Sequence, residues 1–143
     1  MPLSTNAQSK YSALLIDDDS TCNYLNSSTV DESLAFKQPL VFTNPQMALE
    51  YLQQNCLETN QQPLPELILI DINMPELTGF EFVEKLKEMT VNLLDHTLLC
   101  FLSSSTSPKD KMRAKVLGVD CYYEKPLKAE HLEELLTRLK SRS

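Results

Sequence analysis

The stretch Ala13–Thr21, ALLIDDDST, runs four apolar residues straight into three consecutive carboxylates. With Tyr11 and Ser12 before them, those four apolar residues make YSALLI (11–16), which reads as a short strand buried on both faces, the form that central strands of a parallel sheet take. Carboxylates packed side by side resist burial, because each raises the cost of ionising the next. Such a strand end has two uses. Its acids can cap the following helix and complement the helix dipole, or they can meet a charge that offsets theirs. Capping accounts for one aspartate comfortably, not for Asp17, Asp18 and Asp19 together.

The chain beyond this stretch alternates regularly. A helix is expected from Ser20, its N-cap, through residues 20–36, although its Ser, Thr and Asn residues are poor helix formers. PLVF (39–42) is a short strand. NPQMALEYLQQN (44–55) is a helix with Asn44 as N-cap, Pro45 in its first position, and Met47, Ala48, Tyr51 and Leu52 on its inner face. CLETNQQPLP (56–65) reads as a surface loop, ELILIDI (66–72) as a buried strand and NMPELTG (73–79) as a turn-rich loop.

Residues 80–89 follow as a helix with Phe82, Val83 and Leu86 inward, and 96–103 as a strand. The segment 107–118 is a helix with Pro108 near its start and Gly118 at its end. VDCYY (119–123) is a strand, and 128–140 is a helix with Leu132, Leu135, Leu136 and Leu139 at i, i+3, i+4 and i+7. Five strands alternating with five helices imply a parallel sheet covered on both faces, with right-handed crossovers.

Composition narrows the function classes. The chain has 143 residues, 42% of them hydrophobic, and a formal net charge of -7. This is enough for one domain with a real core. The acidic balance argues against nucleic acid, whose binding needs basic surface, and equally against an anionic membrane. Cys22, Cys56, Cys100 and Cys121 are too scattered for a zinc site, and Cys100 and Cys121 lie within apolar runs as plain buried thiols. A reducing, cytoplasmic setting is expected. No apolar run reaches the roughly 20 residues of a membrane span, and residues 1–9 read as a polar, flexible N-terminal tail without a signal-peptide core.

In a sheet of this kind the reactive crevice lies beyond the carboxyl ends of the strands. Asp17 and Asp18 stand at the end of the first strand, Asp71 at the third, Ser103 at the fourth and Lys125 after the fifth. Hard oxygen ligands without His or Cys favour Mg²⁺, with Mn²⁺ as a substitute. A carboxylate beside that ion can act as a nucleophile toward phosphorus, while the metal and a lysine neutralise the oxygens of the transferring group.

The set D-D, D-x-N-M-P, S and K-P on this frame resembles the response-regulator receiver domain of two-component signalling, over about Lys10 to Lys140. The resemblance implies a flavodoxin-like (βα)5 doubly wound sheet of strand order 2-1-3-4-5, with residues 10–143 as the receiver domain. It implies a stand-alone signalling phosphoprotein, not an enzyme with a separate substrate. Asp71 matches the phosphoacceptor, and Asp17, Asp18 and Asp71, with the backbone carbonyl of Asn73, match the Mg²⁺ ligands. Lys125 matches the family lysine, its bond to Pro126 the usual cis peptide, Ser103 the switch hydroxyl and Tyr122 the switch aromatic. Asn73 and Ser105 match positions that tune dephosphorylation. The implied partners are a sensor histidine kinase or histidine phosphotransfer protein and a downstream protein that the sequence does not name.

Two rival readings use the same residues. LLIDDDST also fits the hydrophobic-D-x-D-x-T motif of haloacid-dehalogenase-like phosphatases, with Asp17 as nucleophile and Asp19 as general acid. That family needs a further acidic pair after its lysine, and Asp71 would have no role. The other rival is a docking module on the same fold, independent of phosphorylation. Asp19 has no assigned role under the receiver reading, and His131, on the last helix beside Leu132, is expected at the edge of a packed face.

Overall fold

A computed structural model describes residues 10–104, 107–119 and 121–142. Its sheet comprises β1 (Ala13–Ile16), β2 (Leu40–Phe42), β3 (Leu67–Asp71), β4 (Leu98–Ser103) and β5 (Cys121–Glu124). The helices are α1 (Ser20–Asp31), α2 (Pro45–Tyr51), α3 (Gly79–Met89), α4 (Pro108–Val116) and α5 (Ala129–Ser141). The strands are all parallel, in the order β2-β1-β3-β4-β5, as expected.

The continuous apolar runs divide by alternation into two cores. Leu14, Ile16, Ile68, Ile70, Leu99 and Phe101 face one way, against Ala48, Leu49 and Leu52 and against Phe82, Val83 and Leu86 of α3. Ala13, Leu15, Leu67, Leu69, Cys100, Leu102 and Cys121 face the other way, against Leu132, Leu135 and Leu139 of α5. Within α1 only Val30 joins this second core; the helix's other buried residues are Asn23 and Asn26.

Several local expectations change. Asp19, not Ser20, is the N-cap of α1: its backbone is extended and its carboxylate accepts from the amides of Thr21 and Cys22. The helix ends at Asp31, short of residue 36. Met47 is exposed, and Leu49 takes the inward position. The chain after α2 does not become a loop at residue 56 but widens into a π-helical segment, Leu52–Glu58, which keeps Leu52 and Cys56 buried. Residue 96 does not open the fourth strand: Leu93–His96 forms a single helical turn, and β4 begins at Leu98.

Other expectations stand. Asn44 caps α2 through the amide of Met47, and α4 runs from Pro108 until Gly118 turns the chain with φ of 87°. Cys100 and Cys121 are buried and stand in register across β4 and β5. Among the described residues no helix is long and apolar enough to cross a membrane.

Candidate functional site: a carboxylate cluster at the strand ends

The parallel register brings β1 and β3 side by side, with Ile16 opposite Ile70. Asp17 and Asp71 therefore leave adjacent strands at the same level. Both are buried, at 2% and 3% exposure, whereas Asp18 is exposed. One carboxylate oxygen from each of Asp17, Asp18 and Asp71 falls within 4.8 Å of the others. Three hard oxygen donors at that spacing suit a divalent cation of the Mg²⁺ type.

Lys125 enters the cluster from the loop after β5. Its Nζ lies 2.9 Å from Asp17 Oδ2 and 3.2 Å from Asp71 Oδ1. Its backbone amide donates to the Ser103 carbonyl at 2.8 Å, tying the loop to the end of β4. The Lys125–Pro126 peptide is cis, as the K-P motif implied.

The electrostatics follow from this crowding. Burial first, and then the charge of Asp17, push the Asp71 carboxyl up to about 6, with Lys125 opposing both. Burial works against the charge on Lys125, but its bonds to Asp17 and the charges of Asp71 and Asp17 prevail, raising its pKa well above that of a free lysine. The site thus holds more negative charge than one ammonium offsets.

Local bonds orient the acids. Asp17 Oδ1 accepts the Asp19 amide at 2.9 Å, leaving Oδ2 toward Lys125. Asp71 Oδ1 accepts the Asn73 amide at 3.4 Å. Behind Asp71, Gly79 comes so close that a Cβ there would lie 2.8 Å from the Asp71 carbonyl oxygen and 3.0 Å from Ile72 Cα.

Ser103 is fully buried at the carboxyl end of β4. Asn73 is exposed in the loop after β3. Tyr122 is half-buried, in register with Phe101, and packs on the α2–α3–α4 side with the Lys111 ammonium 5.8 Å from its ring. Ser105 and residues 1–9 lie outside the described residues. His131 is half-buried; it stacks on Tyr123 at 4.2 Å, and its Nδ1 accepts the Lys128 amide.

The Asp19 carboxylate is taken up by the α1 cap, while its backbone amide donates to Asp17 Oδ1. The phosphatase reading needed it as a general acid in the cluster, and it is not among the three clustered acids. The sequence allowed one of the three aspartates to cap this helix but pointed to Ser20 as the N-cap, since Asp19 and Ser20 are both good caps. What sequence reasoning missed is Cys22, whose Sγ lies 3.8 Å from Lys125 Nζ, and the buried asparagines of α1, for which no linear motif exists.

Comparisons with known proteins agree with this geometry. Residues 13–137 match the response regulator receiver domain family. The response regulator Rre1 of Synechocystis sp. is 28% identical over 131 residues, covering 92% of this chain and 52% of Rre1. The sensor histidine kinase CheAY of Helicobacter pylori is 30% identical over 142 residues, covering 94% of this chain and 16% of the kinase. The chain thus spans about half of one relative and a small part of the other. Among solved structures, a two-component response regulator from Cytophaga hutchinsonii superposes with a TM-score of 0.81 at 32% identity, covering 94% and 99% of the two chains. The chemotaxis protein CheY4 of Vibrio cholerae does so at 0.73 and 25% identity, covering 92% and 99%.

Proposed function

This chain belongs to the response regulator receiver domain family, and from that premise we propose that Asp71 accepts a phosphoryl group from a phosphohistidine on a partner kinase or phosphotransfer protein. The observation that carries the proposal is the cluster itself: three carboxylates within 4.8 Å, two of them bridged by Lys125. Few structural needs justify burying such charge, whereas phosphoryl transfer uses all of it.

Asp17, Asp18 and Asp71 would hold Mg²⁺ or Mn²⁺, joined by the backbone carbonyl of Asn73. When bound, the ion supplies positive charge against the equatorial phosphoryl oxygens. An Asp71 carboxylate oxygen attacks phosphorus; the P–O bond forms as the P–N bond to the donor imidazole breaks, and the imidazole leaves with its electron pair and takes up a proton. Lys125 turns from its pairing with the acids to a phosphoryl oxygen. The Ser103 hydroxyl donates to another.

Tyr122, on β5 in register with Phe101 and packed on the α4 side of the sheet, is the aromatic that responds when the β4–α4 loop shifts. The phosphoryl group then biases a two-state equilibrium of the α4–β5–α5 face, which a downstream protein reads. Asn73 and Ser105 set the access of the water that hydrolyses the acyl phosphate. Residues 10–143 act as this one receiver unit, in a cytoplasmic setting.

Acetyl phosphate with Mg²⁺ tests the proposal without a partner. Intact-mass spectrometry should register one added phosphoryl group on the wild type and none on Asp71→Asn, and EDTA should abolish it. Label retained on Asp71→Asn and lost only on Asp17→Asn would overturn the assignment.

A further inference from the structure

The inner face of α1 is polar where the other helices are apolar. Asn23 and Asn26 are 3% and 1% exposed. With Thr29 they follow i, i+3, i+6 spacing, placing them on one side of the helix. Buried amides cost free energy unless they are hydrogen-bonded; Asn23 Oδ1 finds no partner among the described residues, so the bonds that these two amides do make explain their presence.

The partners in those bonds are backbone groups, two of them, at Asp17 and Leu127, on the segments that carry the cluster. Asn23 Nδ2 donates to the Asp17 carbonyl at 2.8 Å and to the Phe42 carbonyl at 3.3 Å. Asn26 Oδ1 accepts the Leu127 amide at 2.9 Å, and Thr29 Oγ1 donates to the Leu127 carbonyl at 3.1 Å. Both polar groups of Leu127 are thereby held by α1, across 101 and 98 residues of sequence. Leu127 lies two residues beyond Lys125, its side chain is buried, and the Lys125 amide is held by Ser103 on the other side. The loop bearing Lys125 is thus pinned at both ends.

We propose that Asn26, assisted by Thr29, is a positioning residue that sets where the Lys125 ammonium stands during phosphoryl transfer. The inference rests on the phosphoacceptor reading of Asp71. Before transfer the ammonium is also held by Asp17 and Asp71. Once it turns to a phosphoryl oxygen those bonds loosen, and the backbone tether is what keeps it in register. Small displacements of a charge-stabilising group lower rates steeply. The metal ligands come from β1 and β3 and do not depend on this tether.

The test measures phosphorylation of the full chain by acetyl phosphate, together with Mg²⁺ affinity by calorimetry. Asn26→Leu keeps the shape of the side chain and removes the acceptor; its maximal rate should fall roughly tenfold or more. Its Mg²⁺ affinity should stay within about twofold of wild type, as expected of separate attachments. Asn26→Asp keeps the acceptor and should recover most of the rate.

A folded Asn26→Leu protein labelled at the wild-type rate would overturn the inference, as would an Asn26→Asp protein as slow as Asn26→Leu. If Asn26→Leu does not fold, Thr29→Val carries the test: a slowed maximal rate at unchanged Mg²⁺ affinity supports the tether, and an unchanged rate refutes it. A wild-type protein that takes no label would instead overturn the phosphoacceptor reading, and this inference with it.

Discussion

Lys125 Nζ stands 2.9 Å from Asp17 Oδ2, slightly nearer than the 3.2 Å that separates it from Asp71 Oδ1. The ammonium is thus shared, and two buried carboxylates lean on one positive charge. That imbalance gives the site a measurable pH signature.

Asp71 binds its proton more tightly in the folded protein, at about 6, than at its ordinary value of 3.8. The sign follows from linkage. The stabilisation from this group is fully present below about pH 4 and is lost as pH rises through about 6. Two pKa units correspond to on the order of 3 kcal/mol. Urea unfolding of metal-free wild type and Asp71→Asn across this window should therefore diverge, with the wild type losing that much relative to the variant as pH rises. Saturating Mg²⁺ should reverse the trend, because the ion favours ionised Asp71. Parallel curves in EDTA would refute the electrostatic account.

Asp19→Ala should separate the cap from the chemistry. Losing an N-cap carboxylate costs about 1 kcal/mol, a Tm decrease of roughly 3 °C for a chain of this size. Acyl-phosphate labelling at Asp71 should persist, and Asp19→Asn should recover much of the stability. Abolished labelling in a folded Asp19→Ala protein would return Asp19 to the reaction and revive the phosphatase reading.

Gly79→Ala tests how tightly the chain is packed behind Asp71. The added Cβ would meet backbone, the Asp71 carbonyl oxygen at 2.8 Å and Ile72 Cα at 3.0 Å, which cannot turn aside as a side-chain tip does. A destabilisation of about 1–3 kcal/mol is expected, with a slowed rate of Asp71 phosphorylation because its carboxylate shifts. Denaturant midpoints and labelling rates check the two effects separately; an unchanged midpoint would mean that the β3–α3 turn relaxes freely.

Much of the fold was legible because its determinants are local and periodic. The uninterrupted apolar runs at β1, β3 and β4 announced buried parallel strands, and Asn44 with Pro45 announced the start of α2. The boundaries that shifted are those where competing local signals are nearly balanced. Asp19 and Ser20 are both good caps, and only the extended backbone at Asp19 decides between them. The widening of α2 into Leu52–Glu58 has no marker in QQNC, because the segment stays helical to keep Leu52 and Cys56 in the core.

The sequence by itself determined which residues reach the carboxyl edge of the sheet. Alternation implies a parallel sheet, and a parallel sheet places its strand ends on one edge whatever the side chains do next. Only the tertiary structure decided how three neighbouring aspartates divide their work. Asp17 turns inward to Lys125, Asp18 stays exposed within reach of the cluster, and Asp19 turns back onto its own helix. It also decided that a helix rich in Asn, Ser and Thr is worth forming. Its partners at Leu127 lie about a hundred residues away and become neighbours only when the sheet closes. Periodicity is written along the chain; the choice of a hydrogen-bond partner depends on proximity that folding alone creates.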